Sequence, residues 1–236
     1  TINGRTYNRT TDVNGWATMN INLQPGEYEA LCAYYGPQKS DNAFAKAVIK
    51  VLPTILADNL VKYYLNGSQF HVKVIDGSGN PIVNTNVSMN INGVFYVRQT
   101  NSEGIATLNI KLWSGKYILT VHNPYDGLLK SFDVTVLPTI ESNDLVKYYH
   151  NDSQFYAKFV DGAGNPLVNT KVKFNINGVL YTRETNGEGV AKLNINLNPG
   201  EYILTSIHPN GLQVGKKVTV LPTLEGSDLT MNYKDG

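Results

Sequence analysis

The chain has 236 residues, a formal net charge of +1 and an apolar share of 42%, which is enough for ordinary hydrophobic cores. Its charged residues are dispersed, which excludes the concentrated basic patch of proteins that bind nucleic acid or anionic membranes. A single cysteine excludes an internal disulfide, and no apolar run approaches the roughly 20 residues that span a bilayer. Abundant Tyr, Asn, Gly, Thr and Val favour strands and tight turns over helices.

The first segment, residues 1–54, matches the second half of a pattern that recurs later. Ile-Asn-Gly at 2–4 reappears at 91–93 and 176–178, in the middle of each later copy. The segment carries an expected hairpin return strand, two turns and a closing strand that ends in Val-Leu-Pro-Thr. We therefore predict that it is the C-terminal half of a repeat, incomplete or completed by a strand from elsewhere.

The second segment, residues 55–139, shows the whole pattern. Alternating apolar residues, separated by turns rich in Gly, Asn, Asp and Pro, predict seven short strands. These strands are expected at 60–64, 69–76, 87–91, 94–100, 105–110, 117–121 and 132–136. Seven strands at this spacing predict a two-sheet antiparallel sandwich of immunoglobulin (Ig) type.

The third segment, residues 140–223, repeats each signal, and residues 224–236 begin a further copy. Leu-Val-Lys-Tyr-Tyr at 60–64 recurs 85 residues later and, as Leu-Thr-Met-Asn-Tyr, at 229–233. A period of this length corresponds to a small domain. The short apolar joint at 140–143, after a proline, indicates limited bending. The sequence thus predicts an all-β linear rod, cut from a longer array.

No motif for catalysis, metal or cofactor binding is present, so we predict no enzyme activity, no catalytic residue and no cofactor. The four histidines are scattered along the chain. The Asp-Gly-x-Gly-Asn-Pro loops at 76–81 and 161–166 resemble calcium sites faintly, but they lack further acidic ligands, so plain turns are favoured.

Two features raise the question of covalent chemistry. Lys62 and Lys147 lie on the first strand of each copy, where a lysine could form an amide cross-link with an asparagine, although no core carboxylate is evident to catalyse it. Cys32 aligns with Val121 on an apolar strand, and we expect it to be a small buried side chain.

Four Asn-x-Ser/Thr sequons predict possible N-glycosylation. They begin at Asn8, Asn66, Asn86 and Asn151. The second and fourth occupy equivalent turns after the first strand, where a glycan would be exposed.

Two further elements are candidates for contacts with partners. Tyr34, Tyr35 and Phe44 lie in a loop longer than its counterparts, and they could contact a ligand or merely cap the end of the sandwich. Leu229, Met231 and Tyr233 belong to the last copy of the first strand. They could complete the N-terminal half of another chain by strand exchange.

The repeated Gly-Asn-Pro-(Ile/Leu)-Val-Asn-Thr, Thr-Asn-x-Glu-Gly-x-Ala, Gly-x-Tyr and Val-Leu-Pro-Thr motifs resemble the Ig-like repeats of adhesin-like surface proteins of methanogenic archaea. They are also similar to bacterial Ig-like and collagen-adhesin B-type stalk modules. The resemblance implies an extracellular, cell-surface protein of many tandem modules.

The expected function is a structural stalk or filament segment. Its partners would be neighbouring repeats, copies of itself, or surface glycans and proteins of other cells. The alternatives are a carbohydrate- or protein-binding module, a strand-exchanged filament subunit, and an accessory region of a larger surface enzyme.

Overall fold

The computed structural model describes residues 1–234, and their regular secondary structure is almost entirely β-strand. The strands are β1 (Gly26–Tyr34), β2 (Ala43–Val51), β3 (Ile55–Leu56), β4 (Leu60–Tyr63), β5 (Gln69–Val74), β6 (Asn86–Ile91), β7 (Val94–Gln99), β8 (Ile105–Asn109), β9 (Gly115–His122), β10 (Leu129–Leu137), β11 (Ile140–Ser142), β12 (Leu145–Tyr148), β13 (Gln154–Phe159), β14 (Lys171–Ile176), β15 (Val179–Glu184), β16 (Val190–Asn194), β17 (Gly200–Ile207) and β18 (Gln213–Leu221). One 3-10 turn, Lys39–Asp41, is the only helical element of the described residues. The all-β prediction is confirmed.

Strands β3 to β10 form one pair of sheets, here called the first sandwich. The smaller sheet has the order β3-β5-β8 and the larger the order β4-β10-β9-β6-β7. Strands β11 to β18 form the second sandwich with the same orders, β11-β13-β16 and β12-β18-β17-β14-β15. This strand order is that of an Ig-like fold.

Buried apolar side chains fill the space between the two sheets of each sandwich, because alternate residues of a strand point to the same face of a sheet. In β6, Val87 and Met89 are fully buried. The rings of Phe70 on the smaller sheet and Phe132 on the larger sheet lie 5.5 Å apart between centroids. Contact between facing sheets at this range is the packing of an antiparallel β-sandwich, so the predicted fold class is confirmed.

The first strand of each sandwich is divided between the two sheets, which the sequence did not predict. β3 pairs antiparallel with β5, and β4 then pairs in parallel with β10. In the second sandwich, residues 140–142 form the corresponding strand β11, and Ile140 is only 2% exposed. The prediction of a joint at 140–143 is therefore wrong. The isoleucine is buried in the second sandwich, and residues 140–142 pair with β13 as part of that sandwich.

The actual joint is shorter than predicted. The carbonyl oxygen of Leu137 accepts a hydrogen bond from the backbone N–H of Tyr64 at 2.9 Å, within the first sandwich. The carbonyl oxygen of Thr139 accepts one from Val160 at 3.0 Å, within the second. Only Pro138 lies between these two bonded residues. Because its ring fixes φ, the connection between the sandwiches has few free torsions.

Residues 1–54 contain the hairpin β1-β2 and an isolated bridge between Ile2 and Ala30. The expected hairpin return strand does not form between residue 5 and β1. Its counterpart in the first sandwich, β7, pairs with β6, and β8 pairs with β5. Residues 1–54 contain no counterpart of β5 and only the end of β6. The segments that correspond to β7 and β8 therefore have no neighbouring strand with which to form hydrogen bonds.

Candidate functional site at the joint between the sandwiches

A contact between side chains and a glycine loop reinforces the joint. The end of β4 places Tyr63, and the turn that follows places Asn66, against the loop at 161–165 of the second sandwich. Asn66 Nδ2 donates a hydrogen bond to the carbonyl oxygen of Gly162 at 2.5 Å. A Cβ atom on Gly164 would lie 2.6 Å from Cε2 of Tyr63, so the ring occupies the space that a side chain there would need. We call these four residues the joint contact.

The glycine loop is held in shape by its own aspartate. Asp161 Oδ1 accepts hydrogen bonds from the backbone N–H groups of Ala163 at 2.8 Å and Asn165 at 2.9 Å. Bonds from Asn165 are the main cause that lowers the pKa of Asp161 below its usual range. Gly164 has φ +87°, a left-handed conformation that favours glycine. The carboxylate thus serves a turn, and Asp76 makes the same bonds in the first sandwich.

Equivalent positions that lack the opposing partner are open. Tyr148, the counterpart of Tyr63, is 58% exposed. Asn151, the counterpart of Asn66, is likewise exposed. A Cβ on Gly79, the counterpart of Gly164, would meet no atom within 4 Å. The joint contact therefore arises from the apposition of two consecutive sandwiches and not from either one alone.

A second set of bonds fixes the threonine that follows the joint proline. Asn210 Nδ2 donates to Thr139 Oγ1 at 3.2 Å. Thr54, its counterpart before the first sandwich, donates from Oγ1 to Asp126 Oδ2 at 2.5 Å. The first two Val-Leu-Pro-Thr ends are thus each bound by the loop between the last two strands of the sandwich that follows.

The two lysines considered for cross-linking are buried and bound to carbonyl groups. Lys62 Nζ donates to Ser68 O at 2.9 Å and Ile110 O at 3.0 Å. Lys147 Nζ makes the equivalent bonds to Ser153 O and Ile195 O. Burial lowers the pKa of Lys62. The buried polar residues of the described chain include no Asp or Glu. The amide cross-link stays a prediction.

The four sequons differ in their surroundings. Asn8, Asn86 and Asn151 are exposed, whereas Asn66 is half-buried in the joint contact. In both Asn66 and Asn151 the side-chain oxygen accepts a bond at 2.7 Å from the backbone of the sequon serine. The side-chain nitrogen, which would carry a glycan, is engaged only in Asn66 among residues 1–234. Glycosylation at all four sites stays a prediction.

The structure brings two of the predicted ligand-loop residues together. The rings of Tyr35 and Phe44 meet edge to face, with centroids 6.1 Å apart, and each residue is 72% exposed. Tyr34 is also exposed, at the tip of the β1-β2 hairpin. An exposed aromatic pair suits contact with a sugar or protein surface, but the role of this loop stays a prediction.

The prediction that Cys32 is buried is wrong, because this cysteine is exposed. Its counterparts Val121 and Ser206 are fully buried beneath the smaller sheet of their sandwiches. The hairpin β1-β2 has no such sheet in the described residues. A residue can only be buried where a second layer covers its face.

The residues proposed for strand exchange lie outside any strand. Leu229, Met231 and Tyr233 are all exposed. The last two residues of the predicted unit 224–236 lie outside the described part of the chain. Strand exchange by this segment stays a prediction.

Sequence reasoning missed a tyrosine that each copy uses in the same way. The hydroxyl groups of Tyr28, Tyr117 and Tyr202 donate to the carbonyl oxygen four residues earlier, at 2.8 to 2.9 Å. This is the tyrosine corner known from Ig-like folds. The recurring Gly-x-Tyr motif was the signal that could have revealed it.

No protein-family model and no curated protein sequence matches this chain. Among solved structures, it is similar to SGBP-B of the Bacteroides ovatus mixed-linkage glucan utilization locus in complex with a mixed-linkage heptasaccharide (16% identity, TM-score 0.29, 94% of this chain and 59% of that one). It is also similar to a Ca2+-stabilized adhesin with which an Antarctic bacterium binds ice (14%, TM-score 0.27, 96% and 65%). A third is invasin, a bacterial integrin-binding protein (17%, TM-score 0.31, 70% and 38%).

The chain spans less than two thirds of the length of each of these three proteins. Identities and TM-scores this low assign no family and transfer no function. Within residues 1–234, no helix is long and apolar enough to cross a membrane, and no cluster of three or more His, Cys, Asp or Glu side chains could hold a metal ion.

Proposed function

We propose that this chain is a stalk or fibre segment of an adhesin-like protein, whose repeats are stacked as a semi-rigid rod. The single observation that carries this proposal is the geometry of the joint. Only Pro138 lies between the last bonded residue of the first sandwich and the first bonded residue of the second, and Tyr63 and Asn66 contact the loop at 161–165. A rod needs consecutive modules that keep a fixed relative orientation. A one-residue proline connection with a specific side-chain contact favours that property over free rotation.

We assign the rod to the cell surface, where a stalk projects a binding region away from the cell. The exposed sequons at Asn8, Asn86 and Asn151 suit an extracellular protein. Its nearest partners would be preceding and following repeats, and surface glycans or proteins of other cells would be bound elsewhere along the array.

The stiffness of the joint tests the proposal. Small-angle X-ray scattering on the whole chain should give the maximum dimension of a single extended particle. Insertion of Gly-Ser-Gly-Ser after Pro138 is the matched variant, since it adds flexible residues without altering either core. The variant should give a broader distance distribution. Equal distributions for both chains would contradict the rod.

A ligand-binding function is a second candidate, favoured by the exposed Tyr35–Phe44 pair. If the chain has this function, a glycan array or a whole-cell assay should detect binding by the intact chain. Tyr35→Ala and Phe44→Ala should each abolish that binding. Tyr125→Ala serves as the control, because this tyrosine is similarly exposed but lies far away in sequence, in the first sandwich. Absence of binding by the parent chain favours the stalk.

A strand-exchanged filament is the remaining alternative. In both sandwiches the last strand pairs in parallel with a Leu-Val-Lys-Tyr strand. β2 is the counterpart of that last strand, and β1 is its only partner within the described residues. In this alternative, residues 229–233 of one molecule pair with β2 of another. We then expect oligomers whose amount rises with protein concentration. Met231→Pro should remove them, because proline cannot donate to a ladder. A monomer at all concentrations contradicts this alternative.

A further inference from the structure

We propose that N-glycosylation of Asn66 controls the joint, because the glycan and the joint contact require the same side-chain nitrogen. This inference rests on the proposed stalk function and adds a means of setting its stiffness. Asn66 opens the sequon Asn66-Gly67-Ser68, and its Nδ2 lies 2.5 Å from the carbonyl oxygen of Gly162. The nitrogen that binds the next sandwich is therefore the nitrogen that a glycan would modify.

The chemistry of the modification defines the conflict. In N-glycosylation, Nδ2 forms a bond to the anomeric carbon of a sugar, while that carbon loses its bond to a phosphate oxygen of a lipid-linked glycosyl donor. The phosphate leaves with the electron pair of the broken bond, and one Nδ2 proton is released to it. A sugar ring then replaces one of the two amide hydrogens.

The joint has no room for that ring. Asn66 is half-buried, and its Nδ2 already lies 2.5 Å from the carbonyl oxygen of Gly162, so no further atom fits between these two groups. Tyr63 fills the adjacent space, with its ring against Gly164. A pyranose attached to Nδ2 would have to displace the glycine loop, and the loop cannot move away without opening the joint.

The order of synthesis makes the modification feasible. Gly162 lies 96 residues after Asn66, so a chain that crosses a membrane from its N-terminus exposes the sequon before the second sandwich exists. Chains glycosylated at that moment would fold with an open joint, and unmodified chains with a closed one. One sequence would then yield both stiff and flexible stalks.

Asn151 provides an internal control for this assignment. It begins the equivalent sequon, makes the same bond to its serine, and faces solvent with its nitrogen unengaged within residues 1–234. Glycosylation at Asn151 should leave the joint between the first and second sandwiches unchanged. The two equivalent sequons therefore have different mechanical consequences in this chain.

The experiment uses the whole chain, with Cys32→Ala and spin labels at Ser102→Cys and Lys171→Cys, which are exposed positions on the two sandwiches. It is produced in an N-glycosylating secretory host and in a host without the pathway. Glycopeptide mass spectrometry measures occupancy, and pulsed electron resonance measures the distance distribution between the labels. Ser68→Ala and Ser153→Ala each block one sequon while they leave the asparagine in place.

We expect a narrow distribution without glycan and a distribution at least twofold broader when Asn66 is occupied. Ser68→Ala should restore the narrow distribution in the glycosylating host, and Ser153→Ala should not. Asn66→Asp, which removes the amide donor without adding a glycan, should broaden the distribution in either host.

Three results would overturn the inference. These are no glycan at Asn66 when Asn151 carries one, an unchanged narrow distribution in occupied chains, and an unchanged distribution in Asn66→Asp. A broad distribution in the unmodified parent chain is a different result, because it would refute the proposed rod itself.

Discussion

The imidazole Nε2 of His208 donates a hydrogen bond to the backbone carbonyl oxygen of Val160 at 2.9 Å, while its Nδ1 accepts one from the backbone N–H of Asn210 at 3.0 Å. This arrangement requires the neutral ring with its proton on Nε2. Asn123 makes the same pair of bonds in the first sandwich, to Ile75 O and from the N–H of Tyr125. A histidine thus replaces an asparagine in one structural role.

This replacement predicts that the second sandwich loses stability in acid. Burial lowers the pKa of His208 below its usual value of about 6.5, so the unfolded chain binds the proton more tightly than the folded one. The contribution of neutral His208 to the free energy of unfolding should be fully present above that pH. It should decrease as the pH falls below it, by at most about 1.4 kcal/mol per pH unit. Urea unfolding between pH 8 and pH 5 measures the trend. His208→Asn should flatten it, whereas substitution of the exposed His150 should not.

Gly164→Ala should weaken the joint, whereas Gly79→Ala should not. Both glycines have nearly the same positive φ, +87° and +88°, so both substitutions cost about 1 kcal/mol in their own sandwich. Only the methyl group at 164 would meet Tyr63. Distances between labels on the two sandwiches should broaden for Gly164→Ala alone. Equal effects would show that the ring does not hold the joint.

Ser206→Val should stabilise the second sandwich. The Ser206 hydroxyl is fully buried and has no hydrogen-bond partner in the described chain. Removal of an unsatisfied buried hydroxyl gains about 1–2 kcal/mol. Valine should fit, because Val121 fills the equivalent position of the first sandwich with no exposed surface. Chemical denaturation measures the gain, and the reverse change, Val121→Ser, should destabilise the first sandwich. A less stable Ser206→Val chain would contradict the equivalence.

Tyr117→Phe should destabilise the first sandwich by about 1–2 kcal/mol, because the carbonyl oxygen of Trp113 loses its donor at 2.9 Å. Tyr202→Phe should do the same to the second sandwich, through Asn198. Thermal unfolding of the two variants and of the double variant tests whether the losses are separate and additive. Tyr28→Phe, in the hairpin β1-β2, should leave both sandwiches unchanged.

The Cys32 thiol should react with a maleimide at the same rate in native buffer and in denaturant, because the folded chain leaves this residue exposed. A Val121→Cys variant, with Cys32 replaced, is the buried comparison and should react only on unfolding. Protection of Cys32 in native protein would show that another layer covers the face of β1 on which this residue lies.

The sequence by itself determined the repeat period, the antiparallel strands and their turns. Alternation at Val87, Met89 and Ile91 fixes which face of β6 is buried, and Asn92-Gly93 adopts the positive φ of a two-residue turn. These features depend on residues near one another along the chain, so local pattern is sufficient to predict them.

Only the tertiary structure determined whether Cys32 is buried and which residues form the joint between the sandwiches. The apolar surroundings of Cys32 matched those of Val121, but the sheet that buries valine comes from strands that residues 1–54 lack. The contact of Asn66 with Gly162 joins residues 96 positions apart, and Tyr148 and Asn151 show that the same turn stays open without an opposing loop. Sequence signals describe a residue's own strand or turn, whereas burial and docking depend on what a distant segment brings against it.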